Sequence, residues 1–218
     1  NEIFICIDSE SNDNTYKIAC QYTKNVEYFH WSDDFSKARN WAHRNVKTDW
    51  IIFLDGHEFL EKAQKLQEYL NLDCDGLLTT IEMENGMQFR NPRIYKNGVQ
   101  FEGAVHERSQ CKKTALCTGV VIKHNRYEGQ SESAIAERDQ QRNDQMPRIM
   151  GALIKKNPKD LRALFHMALW YQTQGNYRKA LKYQNQYLKH SLAHSDRYCV
   201  LYNRSLLFFQ RGKLFRAL

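Results

Sequence analysis

Short apolar runs that end in a carboxylate recur in the first half of the chain. The clearest is residues 50–54 (WIIFL), which carry no charged side chain and are followed by Asp55. This run predicts a fully buried strand, because a half-exposed strand would alternate and a helix would need more length. Residues 2–8 have the same form and also end in an acid, Asp8. Runs of this kind, separated by segments with helical periodicity, predict an α/β fold with a mostly parallel, Rossmann-like sheet.

The same pattern gives the approximate bounds of the other elements in this half. Polar segments rich in Asn, Asp and Ser precede the helices and suit turns and helix caps. An Asn97-Gly98 pair predicts the turn of a hairpin. The predicted helices are 16–22, 36–46 and 61–69, the predicted strands are 26–30, 75–83 and 119–123, and the predicted hairpin joins 93–96 to 99–101.

From Asn125 the pattern becomes helical and repeats. Gly175 is followed five residues later by Ala180, and the pair recurs as Gly212 and Ala217, a period of 37 residues. Small residues at this spacing let two helices pack closely, as in tetratricopeptide repeats. We therefore expect an α/β domain over 1–124, a linker or helix over 125–145, and helical repeats over 146–218.

Charge divides the chain at the same place. Residues 1–124 contain 15 Lys and Arg against 18 Asp and Glu, a net charge of −3, whereas residues 125–218 contain 17 against 7, a net charge of +10. A basic half can bind an anionic partner such as nucleic acid or a phosphorylated carrier, although a solvated basic helical surface gives the same count.

Two further features concern the cellular compartment. The six cysteines are scattered without the spacing of a zinc site, which favours reduced thiols. No apolar run approaches the roughly 20 residues that span a bilayer. We expect a cytoplasmic protein without a membrane span.

The candidate chemistry lies where the strand over 50–54 ends, in the sequence Asp55-Gly56-His57-Glu58. Ligands of open α/β sheets bind beyond the carboxyl ends of the strands. Residues two apart on an extended chain face the same side, so Asp55 and His57 can bind one metal ion together, and Gly56 lets it approach the backbone. Taken alone, Asp55 could instead cap a helix and His57 could be a surface histidine.

Three segments together resemble glycosyltransferase family 2, of the GT-A fold, in the subgroup that carries tetratricopeptide repeats. Residues 8–15 (DSESNDNT) are similar to the family's D-T-G-S-T-D-G-T turn, 34–40 (DFSKARN) to its D-F-S-x-A-R-N helix start, and 50–58 (WIIFLDGHE) to its W-I-L-x-L-D-A-D-E strand. Family members begin with one further strand and helix, so the resemblance implies an N-terminally incomplete domain. His57 replaces the second Asp of D-x-D, and imidazole remains a good ligand for Mn²⁺.

The resemblance implies a metal-dependent, inverting, hexosyltransferase-type enzyme that uses a nucleotide-sugar such as a UDP-sugar, with Mn²⁺ or Mg²⁺. Asp55, His57 and His124 would bind the metal, while Asp8 would contact the nucleoside and Arg39 and Asp55 the donor. Glu107 is the candidate catalytic base, with His106 beside it as a metal or acceptor contact. Glu82 and Glu84 remain alternatives for the base.

The acceptor is open at this point. The basic repeats could hold a protein or peptide, or they could follow the phosphates of DNA or RNA whose modified base receives the sugar. The alternative from another class is a non-catalytic repeat scaffold, in which a degenerate transferase domain only accompanies the binding of a peptide or nucleic acid.

Overall fold

The computed structural model describes residues 2–127 and 129–212. The chain divides into two compact units, which we call the α/β unit, ending at Glu132, and the helical unit, beginning at Ser133. The elements of the first are β1 (Ile5–Asp8), α1 (Thr15–Ala19), β2 (Val26–Phe29), α2 (Phe35–Asn45), β3 (Trp50–Ile52), β4 (Glu58–Ala63), α3 (Leu66–Leu70), β5 (Gly76–Met83), β6 (Gln88–Lys96), β7 (Phe101–Glu102), β8 (Arg108–Ser109) and β9 (Thr114–His124). The helices that follow are α4 (Glu132–Lys156), α5 (Leu161–Thr173), α6 (Tyr177–His190) and α7 (His194–Gln210).

The main sheet of the α/β unit has five strands in the order β3-β6-β5-β9-β4. Its core is formed by β5, β6 and β9, whose inward side chains are fully buried: Leu77, Ile81, Ile94, Cys117, Val120 and Ile122. Two small sheets accompany it, a parallel pair of β1 and β2 and an antiparallel pair of β7 and β8. An α/β fold followed by a helical region is thus confirmed.

The direction of the strands needs a correction. Among the described strands only the β1–β2 and β5–β9 pairs are parallel, and the other pairs are antiparallel, so the sheets are mixed rather than mostly parallel. The turn between β5 and β6 explains part of this. It is closed by a hydrogen bond from the Met83 N–H to the Met87 carbonyl, and Gly86 adopts a φ of 78°. Such a short connection joins antiparallel strands.

Three predicted elements were also wrong in detail. The predicted helix over 61–69 is largely replaced by β4, which pairs with β9, and only α3 remains helical. The turn at Asn97-Gly98 is present, but the strand after it, β7, pairs with β8 instead of folding back on β6. The run over 50–54 is not fully buried, since β3 ends at Ile52 and Leu54 is 40% exposed. Pairing between distant strands overrode the local pattern in the first two cases.

In the helical unit, the two glycines of the predicted 37-residue period occupy equivalent positions. Gly175 and Gly212 lie just beyond α5 and α7 with φ of 68° and 66°, a backbone conformation that glycine adopts without strain. Asn176 caps α6 by accepting the Lys179 N–H at 3.2 Å, and Ala180 is then fully buried. The equivalent of Ala180 in the second copy, Ala217, lies outside the described residues.

No helix within the described ranges is long and apolar enough to cross a membrane. All six cysteines are free thiols.

Candidate active site

The first two turns of helix α2 are hydrogen-bonded to β7 and to the segment that follows it. Asp34 caps the helix by accepting the Lys37 N–H at 3.1 Å, and the Phe35 N–H donates to the Ala104 carbonyl at 2.9 Å. Asn40 makes a two-way contact with the backbone of Phe101, at 2.9 and 2.8 Å. Arg39, the residue before Asn40, therefore faces the segment that contains Glu107.

The turn after β3 is fixed by its own polar groups. The Phe53 N–H donates to the Arg93 carbonyl of β6 at 2.8 Å. The Asp55 N–H donates to Glu58 Oε2 at 2.9 Å, and the Glu58 N–H donates to the Asp55 carbonyl at 2.8 Å. This reciprocal pair closes a tight turn that holds Asp55 and Glu58 in a defined orientation.

Two arginines and three carboxylates form what we call the arginine–carboxylate cluster. Arg39 donates to Glu107 and, at 3.3 Å, to Asp55, while Arg93 donates to Glu58 and, at 3.5 Å, to Asp55. The Glu58 side chain is fully buried, whereas that of Asp55 is 32% exposed. Burial raises the pKa of Glu58, and the hydrogen bond from the Asp55 backbone and the charge of Arg93 oppose this rise.

A second group, the histidine cluster, adjoins the first. His57 Nε2 lies 2.7 Å from His124 Nε2, and one carboxylate oxygen of Glu58 lies within 4.8 Å of ligand atoms on both rings. Burial, followed by the charges of His124 and Arg126, lowers the pKa of His57 to about 4. Burial and Arg126 also lower the pKa of His124. Both rings are therefore neutral near neutral pH, which is the form of histidine that binds metals.

The donor atoms present suit a divalent ion. Two neutral imidazoles with a carboxylate match ions such as Mn²⁺, which accept nitrogen as well as oxygen ligands. The carboxylate whose oxygen lies close to both rings is that of Glu58, and Asp55 is not part of this group. Asp55 has long contacts with Arg39 and Arg93, and a third of its side chain is exposed. Both oxygens of Glu58 are already bonded, one to Arg93 and one to the Asp55 N–H.

The structure places five of the residues that the sequence singled out in two groups: Arg39 contacts Asp55 and Glu107, and His57 contacts His124. It describes no hydrogen bond or ion pair between Asp8 and either cluster, and the Asp8 carboxylate accepts the Glu10 N–H at 3.1 Å. His106, beside Glu107, has a left-handed φ of 50°. Of the alternative bases, Glu82 accepts from Gln88, and Glu84 accepts the Tyr127 N–H next to Arg126.

Sequence reasoning missed Arg93 and Arg126 and gave Glu58 no role beyond its capacity to bind metal. Arg93 carries no local signal, because only the pairing of β3 with β6 brings it to Asp55. Arg126 places Nη2 3.4 Å from His57 Nε2, and its position two residues after His124 was the available signal. Glu58 follows His57 in the chain, but its structural role depends on the ion pair with Arg93, which the sequence does not reveal.

Behind Arg39, His43 occupies an aromatic pocket one turn further along α2. Its ring centroid lies 5.1 Å from that of Phe101 and 6.2 Å from that of Phe53, and the residue is 3% exposed. The Arg39 guanidinium lies over the Phe53 ring, 3.8 Å from its centroid. Burial first, and then the charge of Arg39, lowers the pKa of His43 to about 4.

Replacing Arg93 with Leu should destabilise the α/β unit strongly. The substitution would leave the buried Glu58 carboxylate without its cation, and breaking a buried ion pair in this way costs roughly 3–5 kcal/mol. Urea unfolding would measure the loss. The matched control is Arg108→Leu, which removes an ion pair with Glu102 whose side chains are 69% and 43% exposed; its expected effect is below about 1 kcal/mol. Equal losses in the two variants would contradict the assigned role of Glu58.

His43 should make the unfolding free energy fall as the pH is lowered from about 6.5 to about 4. The unfolded chain takes up a proton near pH 6.5, whereas folded His43 stays neutral until about pH 4, so protons favour the unfolded state across this interval. The full effect is up to about 3 kcal/mol. His43→Leu should remove this contribution, which is measured as the difference between the urea-unfolding curves of the two proteins over pH. Parallel curves would rule the contribution out.

Comparison with known proteins gives the following similarities. The sequence profile of "Glycosyl transferase family 2" matches residues 2–127. The SPbeta prophage-derived glycosyltransferase SunS of Bacillus subtilis is 29% identical over 175 residues, which are 73% of this chain and 41% of SunS. A TPR repeat-containing protein of Synechococcus elongatus is 26% identical over 98% of this chain and 57% of its own length. The crystal structure of S. aureus TarS aligns with a TM-score of 0.47 at 13% identity, over 98% of this chain and 48% of TarS.

The chain thus spans about half the length of the curated relatives that it matches. Because the family profile covers more than half of the 218 residues and includes both clusters, the chain belongs to glycosyltransferase family 2.

Proposed function

We propose that the chain catalyses the metal-dependent transfer of a sugar, with inversion, from a nucleotide-sugar such as a UDP-sugar to an acceptor. The family uses nucleotide-sugar donors and commonly a divalent cation. The observation that carries the proposal is that Arg93 joins the two clusters, since it contacts both Asp55 and Glu58 and a Glu58 oxygen lies within 4.8 Å of ligand atoms on the paired histidines. Cationic and metal-binding groups thus adjoin a candidate base, Glu107, as transfer from a charged donor requires.

The donor side of the reaction uses the histidine cluster and the arginines. His57, His124 and Asp55 would hold Mn²⁺ or Mg²⁺. When bound, such an ion neutralises charge on the diphosphate as it leaves. Arg39 and Arg93 add fixed positive charge next to Asp55, and fixed charge in a partly buried site stabilises a developing anion without further reorganisation. Asp8, at the end of β1, is the proposed nucleoside contact.

The acceptor side uses Glu107. Its side chain is 13% exposed and forms an ion pair with Arg39. Glu107 accepts the proton of the acceptor nucleophile while that nucleophile bonds to the anomeric carbon and the bond to the diphosphate breaks. One displacement on the face opposite the leaving group inverts the anomeric centre. His106 is the proposed acceptor contact beside it.

Asp55→Asn and Glu107→Gln should each lower sugar transfer, since the first weakens the metal site and the second removes the base. A lost general base reduces turnover by roughly 10²–10⁴-fold. Release of nucleoside diphosphate from a panel of nucleotide-sugars with Mn²⁺ would measure both effects. The matched controls are Asp73→Asn and Glu102→Gln, whose carboxylates form exposed ion pairs. No turnover with any donor, together with unchanged Mn²⁺ binding in Asp55→Asn, would instead favour the non-catalytic scaffold.

For the acceptor, we propose an acidic segment of a protein or peptide, held by the helical unit. Helix α6 contains no Asp or Glu. Its exposed cations Arg178, Lys182 and Lys189 recur at helical spacing, which places them on one face, and no described ion pair involves them. A row of cations of this kind attracts a chain of negative charges.

Replacing Arg178, Lys182 and Lys189 with Gln should weaken binding of a fluorescein-labelled, Glu-rich peptide and reduce its dependence on salt. Each of the three positions is solvent-exposed, so folding should be preserved. Fluorescence anisotropy at several salt concentrations would measure both effects. A short duplex DNA serves as the competing probe. Tighter binding of the duplex, with the steep salt dependence expected from counterion release, would indicate a nucleic-acid acceptor instead.

A further inference from the structure

Arg126 lies just after β9, and the residues before and after it both form backbone hydrogen bonds. The Asn125 N–H donates to the His57 carbonyl at 2.8 Å, and the Tyr127 N–H donates to Glu84 Oε1 at 2.9 Å. The Arg126 carbonyl itself accepts from Gln130 Nε2 at 2.8 Å. These bonds fix the backbone from which the guanidinium extends, so its position next to the histidine cluster is built into the fold.

The guanidinium adjoins the nitrogen atoms that would coordinate an ion. Arg126 Nη2 lies 3.4 Å from His57 Nε2, which in turn lies 2.7 Å from His124 Nε2. An arginine is permanently charged, so it repels a divalent ion bound to the same pair of nitrogens. A cation at this place weakens metal binding unless an anion lies between the two positive charges.

The donor supplies such an anion. We propose that Arg126 binds the diphosphate of the donor, and that it thereby makes the binding of the diphosphate and of the metal ion depend on each other. The planar guanidinium matches two phosphate oxygens, which would leave other oxygens of the diphosphate available to an ion held by the histidines. Coupling between two ligands is reciprocal, so each ligand increases the affinity for the other by the same factor. This inference rests on the proposed function, because it takes His57 and His124 as metal ligands.

A purely structural role for Arg126 would have a different effect on ligand binding. If the guanidinium only stabilised the segment around Asn125 and Tyr127, its replacement would lower stability and leave the coupling between ligands unchanged. The affinity for metal in the absence of nucleotide separates the two roles, because only a charge that repels the ion makes its removal increase that affinity.

The test measures Mn²⁺ binding by isothermal titration calorimetry, with and without UDP, after correction for the Mn²⁺–UDP complex in solution. For the unmodified chain, we expect UDP to increase the affinity for Mn²⁺ by about tenfold or more. Arg126→Gln should bind Mn²⁺ alone about tenfold more tightly, bind UDP more weakly, and lose most of the coupling. Arg126→Lys should keep part of it. Lys112→Gln, which removes one exposed positive charge elsewhere, is the control and should behave as the unmodified chain.

The outcomes separate this inference from the proposed function. Binding of Mn²⁺ and UDP with the same coupling in the unmodified chain and in Arg126→Gln would overturn the role of Arg126 and leave the metal site standing. Mn²⁺ binding that UDP does not strengthen in the unmodified chain would also overturn it. No Mn²⁺ binding with or without UDP would overturn the proposed metal site, and this inference with it.

Discussion

The buried carboxylate of Glu58 is the constraint on which the rest of the site depends. A charge without solvent exposure requires a partner, and Arg93 is that partner. Arg93 reaches Glu58 from β6, so the pairing of β6 with β3 is also what brings a cation to Asp55. The second oxygen of Glu58 accepts the Asp55 N–H and fixes the turn. One buried charge thus connects the sheet, the turn after β3 and the orientation of the exposed carboxylate that is available for chemistry.

The register between β4 and β9 positions the histidine cluster. Glu58 is paired with His124 in this register, and the Asn125 N–H extends the ladder to the His57 carbonyl. A shift by one residue would turn the His124 side chain to the other face of the sheet and separate it from His57. The buried residues of β9, Val120 and Ile122, oppose such a shift because it would expose them. The hydrophobic core therefore fixes the distance between the two histidines.

The sequence was informative where a side chain and its role lie in one local segment. Asp34 as a helix cap, Arg39 on the helix it begins, and Asp55 with His57 at a strand end could all be predicted, because each depends on neighbours within a few residues. The strand β4 could not, since it exists through pairing with β9, about 60 residues later in the chain. Arg93 was missed for the same reason. The mixed direction of the sheet likewise reflects pairings between distant strands, which hydrophobic patterning does not determine.

The charges of the two clusters balance, since three arginines accompany the carboxylates of Asp55, Glu58 and Glu107. Arg39 and Arg93 belong to the arginine–carboxylate cluster, and Arg126 contacts His57 of the histidine cluster. Cations held together by buried and half-buried carboxylates are positioned before any anion arrives, so little reorganisation is needed when one binds. The carboxylates prevent the arginines from repelling one another and leave no excess of positive charge. In the proposed donor complex, a diphosphate would contact more than one guanidinium, whereas a singly charged anion would contact one, so the proposed site distinguishes the two by geometry rather than by excess charge.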